Sequence, residues 1–279
     1  MAVRFRRLIH PTRSFSFSSA VLVVAGGLGL GLGWRFSELG APPTTSMEKP
    51  AKLTLLYFPV QARAENIAMM MEYAKVDYDR VFTSGKSFVN DKKAGKIPYL
   101  QLPVLEIETK TGEKFTLGQS GSITRYLAKV CGLYPSDPVE CALCDSLFEH
   151  AQDMSHINPI VNVYKGDTWK EKKEAFFSDF EDKASCLISK LGKGPFFLGR
   201  ETPSYADFQV YHVLTSAQLA EPKCLEGKAP LLNFIAAVEL LPGVKEYLEW
   251  RPKPSAIGTK PMLEPKPTMD SPIQRRFSS

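Results

Sequence analysis

Residues 53–65 read LTLLYFPVQARAE, and the fold follows from how the period changes along that stretch. Leu53, Leu55 and Tyr57 alternate with Thr54, Leu56 and Phe58 in a short, nearly continuous apolar run that Pro59 stops. A bounded run of this kind predicts a strand buried on both faces. From Ala62 the spacing lengthens, and Ile67, Met70, Met71 and Ala74 fall at three- and four-residue steps, one face of a helix. A strand that enters a helix through a tight turn delivers its last side chain to the carboxyl edge of the sheet, where open α/β sheets bind ligands. Tyr57 holds that place, and a phenol there can donate a hydrogen bond to a small anion.

Downstream, Tyr78–Phe82 predicts a second strand, and the polar stretch 84–96, with two glycines, a loop or irregular helix. Val104–Ile107 and Phe115–Leu117 read as a hairpin turning at Lys110–Glu113. Pro103 stands just before the third strand. Either it is an ordinary trans edge proline, or a cis bond turns the backbone N–H and C=O of Leu102 outward, available to a peptide ligand. Ile123, Tyr126, Leu127 and Val130 mark a helix with Ser120 at its start, an N-cap position that also suits a carboxylate. Residues 51–131 therefore make a complete small α/β domain.

After the linker GLYPSDP (132–138), residues 139–250 read as all-helical. Val139–His156 and Lys170–Leu191 are each expected as one long helix. Ser204 and Asp207 have capping-box spacing ahead of Phe208, Val210, Tyr211 and Leu214, and two shorter helices follow at Leu231–Leu240 and Pro242–Trp250. The tail, 251–279, has six prolines and no apolar period, so disorder is expected there.

The formal net charge of +5 is misleading, because it sits at the ends. Residues 1–50 and 251–279 each carry six basic and two acidic residues, which leaves 51–250 with 23 basic and 26 acidic. The body offers no electrostatic case for binding nucleic acid. Five cysteines are odd in number and too sparse for a disulfide framework, so they are expected as free thiols in a reducing compartment. Cys141 and Cys144 read as two residues of one helix rather than as a metal or redox pair.

The first fifty residues read as a targeting segment, with a candidate membrane span, and a linker. Arg4, Arg6, Arg7 and Arg13, several serines and no acid before Glu38 match an organellar transit peptide. Residues 14–34 are 21 uncharged positions, about 31 Å as a helix, enough to cross a bilayer. Spanning anchor, cleaved presequence and secretory signal are the three readings. The expected location is an organellar membrane, mitochondrial, with the endoplasmic reticulum or a plastid as alternatives.

From Lys52 to about Trp250 the chain resembles the cytosolic-type glutathione transferases, in particular the sigma-like, tyrosine-type group. The landmarks are YF-x4-RAE from Tyr57 to Glu65, LPVLE from Leu102 to Glu106, Gln119–Ser120, and the box at Ser204 and Asp207. The resemblance implies a thioredoxin-like domain that binds glutathione, followed by an all-helical domain that supplies the pocket for a hydrophobic electrophile. It implies that Tyr57 hydrogen-bonds the thiol sulfur, that the Leu102 backbone before a cis-Pro103 holds the cysteinyl part, and that Gln119 and Ser120 hold the γ-glutamyl carboxylate. It further implies that Arg63 supports the site from the first helix and that Asp153 approaches the ligand of the other subunit of a homodimer. Phe88, Lys92 or Lys93, and Gln101 are the candidates for the glycyl end, and Ile157, Ile160 and Val163 for the second-substrate pocket. Peroxidase or prostaglandin-type isomerase activity would be extensions of the same chemistry. Gln152 stands where some sigma enzymes have a second carboxylate implicated in divalent-metal activation, so no metal is expected. A membrane-tethered binding subunit with little catalysis is the alternative.

Overall fold

The computed structural model describes residues 48–83 and 85–263, together with the backbone alone of 274–275. The expected targeting segment, the candidate span 14–34 and the linker at Pro42–Pro43 lie outside the described residues. Among the described residues no helix is long and apolar enough to cross a membrane.

Strand β1 (Lys52–Tyr57) pairs in parallel with β2 (Asp79–Phe82) and antiparallel with β3 (Val104–Glu108), which pairs antiparallel with β4 (Lys114–Gly118). The sheet order is β4-β3-β1-β2, and Gln274–Arg275 adds a two-residue strand, β5, to the free edge of β2. Helix α1 (Glu65–Tyr73) makes the crossover from β1 to β2, and every one of its residues is buried. The expectation that β1 is buried on both faces does not hold. Leu53, Leu55 and Tyr57 are buried, but Thr54 and Leu56 are only half-buried. The reason lies in the register: Thr54 faces Glu106, which faces Thr116, a polar row that stays exposed at Glu106 and Thr116.

The stretch 85–93, read as loop or irregular helix, forms a regular helix α2 (Gly85–Lys93) with no buried residue. A short 3-10 turn at Pro98–Leu100 then leads to β3, and α3 (Ser120–Val130) follows β4 and packs on α1.

The helical half comprises α4 (Pro138–Asp153), α5 (Ile157–Asn162), α6 (Gly166–Phe177), α7 (Phe180–Leu191), α8 (Tyr205–Ala220), α9 (Ala229–Glu239) and α10 (Val244–Trp250). Helix α8 is buried along nearly its whole length and packs on α1, α4, α5 and α9, joining the two halves through one apolar core. The two long helices expected from periodicity are both interrupted. The first ends at Asp153 in a 3-10 turn, Met154–His156. The second breaks at Ser178–Asp179, where Ser178 Oγ donates to the Ala175 carbonyl and Asp179 leaves helical geometry at φ −120°. Phe176, Phe177 and Phe180 pack together across that elbow, with ring centroids 5.0–5.8 Å apart. The apolar period therefore continues where the backbone does not.

Residues 252–263 also depart from expectation. They do not behave as a disordered tail: Ile257, Met262 and Leu263 pack against the core, and three backbone N–H donors tie the segment to the α5–α6 region. The pattern misses this because the segment's prolines mask its few apolar residues, and Gly258 and the backbone make several of the contacts. All five cysteines are free, with Cys144 buried in α4 and the Cys141 thiol donating to the Pro135 carbonyl at 2.9 Å.

Candidate active site

Three chain breaks meet at one end of the sheet. Tyr57 closes β1, Pro103 precedes β3 running the other way, and Gln119 follows β4. Leu56 is in register with Val104, and Val104 with Gly118, so the three positions adjoin across neighbouring strands. At about 4.8 Å per strand, the edge from β1 to β4 is about 10 Å wide, matching an extended tripeptide of about 10–11 Å.

The Tyr57 backbone is fixed by Thr83 N–H, which donates to its carbonyl at 2.9 Å. Its ring is 5% exposed, and its hydroxyl oxygen accepts the Arg63 backbone N–H at 3.1 Å. No acceptor for the phenolic proton itself is found among the described residues. Burial pushes the phenol up to about 12, and the Arg63 N–H acts weakly against it. Tyr57 is thus a protonated donor at neutral pH with one lone pair already occupied. Phe58 lies beside it at 5.7 Å, Phe88 meets Phe58 edge-on at 5.1 Å, and the Lys92 ammonium sits 5.1 Å over the Phe88 ring. Helix α2 is thereby linked to the strand end, with Lys93 exposed on its last turn.

The Leu102–Pro103 bond is cis. Neither the N–H nor the C=O of Leu102 takes part in a backbone hydrogen bond among the described residues. Gln101, just before it, is extended and exposed. At the third break the reading of Ser120 as an N-cap needs correcting. Ser120 is the first helical residue of α3, and Gln119 occupies the cap position at φ 68° with no side-chain cap bond. A left-handed glutamine is uncommon and concentrates at ligand sites. Among the described residues no side chain caps the opening amide groups of α3, at the end of the helix that favours an anion.

Other expected residues are placed less decisively. The Arg63 side chain is exposed, and its backbone makes the contact with Tyr57. Asp153 ends α4 and is exposed; its carbonyl lies 3.0 Å from His156 Nδ1, and no partner for its carboxylate is found among the described residues. Ile157 and Ile160 are 0% and 2% exposed, buried where α5 packs on α8, whereas Val163 is 41% exposed. A groove of about 550 Å³ opens between α6, α7 and the loop after α8, lined by Trp169, Phe177, Phe180 and Cys224 among others, and none of its residues belongs to this site. Among the described residues no group of three His, Cys, Asp or Glu converges as a metal site.

Sequence reasoning missed what lies beneath the turn after Tyr57. Glu65, 0% exposed, accepts from Arg80 Nη2 at 3.1 Å, Tyr247 Oη at 2.9 Å and Arg251 Nη1 at 3.2 Å. Arg80 also donates to Tyr247 Oη at 2.5 Å and lies over the Phe82 ring. Nearby, Asn162 Nδ2 donates to the Gln61 carbonyl at 2.7 Å, inside the loop between Tyr57 and α1. No spacing signals these partners, which are distant in the chain.

Over residues 153–251 the chain matches the family described as glutathione S-transferase, C-terminal domain. It is 31% identical over 209 residues to the hematopoietic prostaglandin D synthase of Gallus gallus, covering 71% of this chain and 96% of that protein. It is 29% identical over 205 residues to the glutathione S-transferase Mu 2 of Mus musculus, covering 71% of this chain and 90% of that one. A solved structure described as rat hPGDS complexed with a quinoline aligns at TM-score 0.62 and 23% identity, over 72% of this chain and 98% of that one, a likeness of fold.

Proposed function

The chain belongs to the cytosolic-type glutathione transferase family, and we propose that it uses Tyr57 to hold glutathione as its thiolate for attack on hydrophobic electrophiles. The observation that carries this reading is the Arg63 N–H on the Tyr57 oxygen, which leaves the phenolic proton free at the edge where Leu102 and the start of α3 also lie. A free thiol of pKa near 8.5 is only a few per cent thiolate at pH 7. A charge-assisted bond of roughly 1.5–3 kcal/mol lowers that pKa by about one to two units. The thiolate then forms a carbon–sulfur bond at the electrophilic carbon as the leaving group or π-electron pair departs, and proximity supplies the rest.

In this reading the N–H and C=O of Leu102 pair with the cysteinyl backbone. Gln119, Ser120 and the first α3 amides take the γ-glutamyl carboxylate, while Phe88, Lys92 and Gln101 face the glycyl end. The sigma-like assignment and an isomerase activity on lipid-derived substrates rest on the similarity to a prostaglandin D synthase. A homodimer fits Val139 and Leu143, 66% and 49% exposed one turn apart on α4, the helix that ends at Asp153. Location at an organellar membrane, mitochondrial before endoplasmic reticulum or plastid, rests on residues 1–47 alone, and imaging of the tagged full chain tests it.

Conjugation of glutathione to an activated aryl halide and to a panel of α,β-unsaturated carbonyls tests the chemistry. The full chain is expected to turn over at least one class, and Tyr57→Phe to lose about 8–25-fold in kcat at pH 7, as about one to two pKa units below 8.5 require. Equal rates in the two proteins would remove Tyr57 from the reaction, and binding of glutathione without turnover on any substrate would overturn the enzyme reading.

A further inference from the structure

The family match ends at residue 251, yet the chain continues in ordered contact to Leu263. Residues 252–263 run back over the helical half. Gly166 N–H donates to the Gly258 carbonyl at 2.9 Å, and Lys165 and Gly258 form a parallel bridge. Gly258 lies against the face of Trp169 at φ +77°, so close that a Cβ there would stand 2.6 Å from the indole. Met262 N–H then donates to the Asn162 carbonyl at 2.9 Å, and Leu263 N–H approaches the same oxygen at 3.4 Å.

Asn162 is 2% exposed, and its side chain reaches the loop that follows Tyr57. Its Nδ2 donates to the Gln61 carbonyl at 2.7 Å and to the Asn158 carbonyl at 2.8 Å. Both partners are carbonyl oxygens, so the amide nitrogen has to face them. Asn158 Oδ1 is in turn 2.8 Å from His212 Nε2 in the middle of α8. Gln61 is itself 3% exposed and lies in the loop between Tyr57 and Arg63, the residue whose N–H holds the phenol oxygen. One asparagine thus couples the terminal segment by its backbone and the turn beyond Tyr57 by its side chain.

We propose that Asn162 is a positioning residue for the Tyr57–thiolate pair, and that residues 252–263 are a strap that holds Asn162 in place. The inference rests on the transferase reading above and deepens it. It makes the alignment of the phenol depend on a segment beyond residue 251, where the match to the C-terminal domain family ends. Loosening the strap lets the loop carrying Gln61 and Arg63 drift, and the phenol loses its fixed direction toward the sulfur.

The test uses point variants in the full chain: Asn162→Ala cuts the link, Gly258→Val unseats the strap at Trp169, and Met262→Pro removes the N–H that bonds Asn162. Each is expected to raise the pKa of the bound glutathione thiol by about half to one unit, and so to lower kcat by about three- to tenfold below that pKa. The KM for glutathione should stay within about twofold, because the binding edge is untouched. Combining Asn162→Ala with Gly258→Val should add little to either alone, as for residues acting along one route. Tyr57→Phe, run alongside, reports on the underlying reading: a shift there with none in the three variants overturns the strap and leaves the enzyme intact. Variants that lose thermal stability but keep the wild-type thiol titration assign the strap a purely structural role and also overturn the proposal. Should Asn162→Ala not fold, the two strap variants decide the matter by the same readout.

Discussion

A phenol pushed up to about 12 by burial is a poor acid, and that suits a residue whose task is to donate a hydrogen bond and keep its proton. Binding should depend on other side chains. Ser120→Ala is expected to raise the KM for glutathione about tenfold, the loss of one hydrogen bond to a charged group, with kcat nearly unchanged; steady-state kinetics at saturating electrophile measures it. His212 gives a pH prediction. Burial holds it down at about 4 in the folded chain, whereas the unfolded chain titrates near 6.5, so acid favours unfolding as pH falls between those values. From pH 7 to pH 5 the wild type should lose about 2 kcal/mol more than His212→Gln, read by urea unfolding of both. Asp207, raised to about 6 by burial, works in the opposite direction but is common to both proteins and cancels. Residues such as Tyr57, Leu102 and Ser120 were legible in the sequence because each marks a local event: a strand end, an X-Pro step, a strand-to-helix junction. Asn162 and Gln61 were not, since 101 positions separate them and neither changes a period.

At the scale of elements, α8 depends on its first turn. Asp207 accepts from Phe197 N–H at 2.8 Å and from Ser204 N–H and Oγ, both at 2.7 Å. Asp207→Ala should cost about 3 kcal/mol, a lost cap plus buried donors left without a partner, visible as a lower urea midpoint with unchanged slope. The capping box was readable because its residues lie three apart, and the strands were readable from alternation and prolines. The helix breaks at Asp153 and Ser178–Asp179 were hidden, because neither carries a glycine or proline and the aromatic spacing runs on past the second. The outer face of β1 was misjudged for a related reason: a single strand does not reveal that Thr54 will meet Glu106.

For the whole molecule, the two halves are fastened by charge as well as by apolar packing. Glu65 on α1 stands between Arg80 of β2 and Arg251 just past α10, with the Tyr247 hydroxyl completing its partners. Removing Glu65 would leave two guanidinium groups without their shared counter-charge. Glu65→Ala should therefore cost about 3–5 kcal/mol, and circular dichroism should show one unfolding transition moved to lower temperature, since both halves share the core. Separate transitions would show that the halves are not coupled through this cluster. The charge distribution of the chain, slightly acidic in the body and basic at the ends, was legible at once, whereas the packing of 252–263 was obscured by its prolines. The central claim, that the Tyr57 proton stabilises a bound thiolate, is tested most directly by the ultraviolet absorbance of glutathione thiolate on the full chain, titrated against pH with wild type and Tyr57→Phe side by side. The bound thiol should titrate about one to two units below 8.5 in the wild type and return toward 8.5 in the variant; coincident titrations in the two proteins would contradict it.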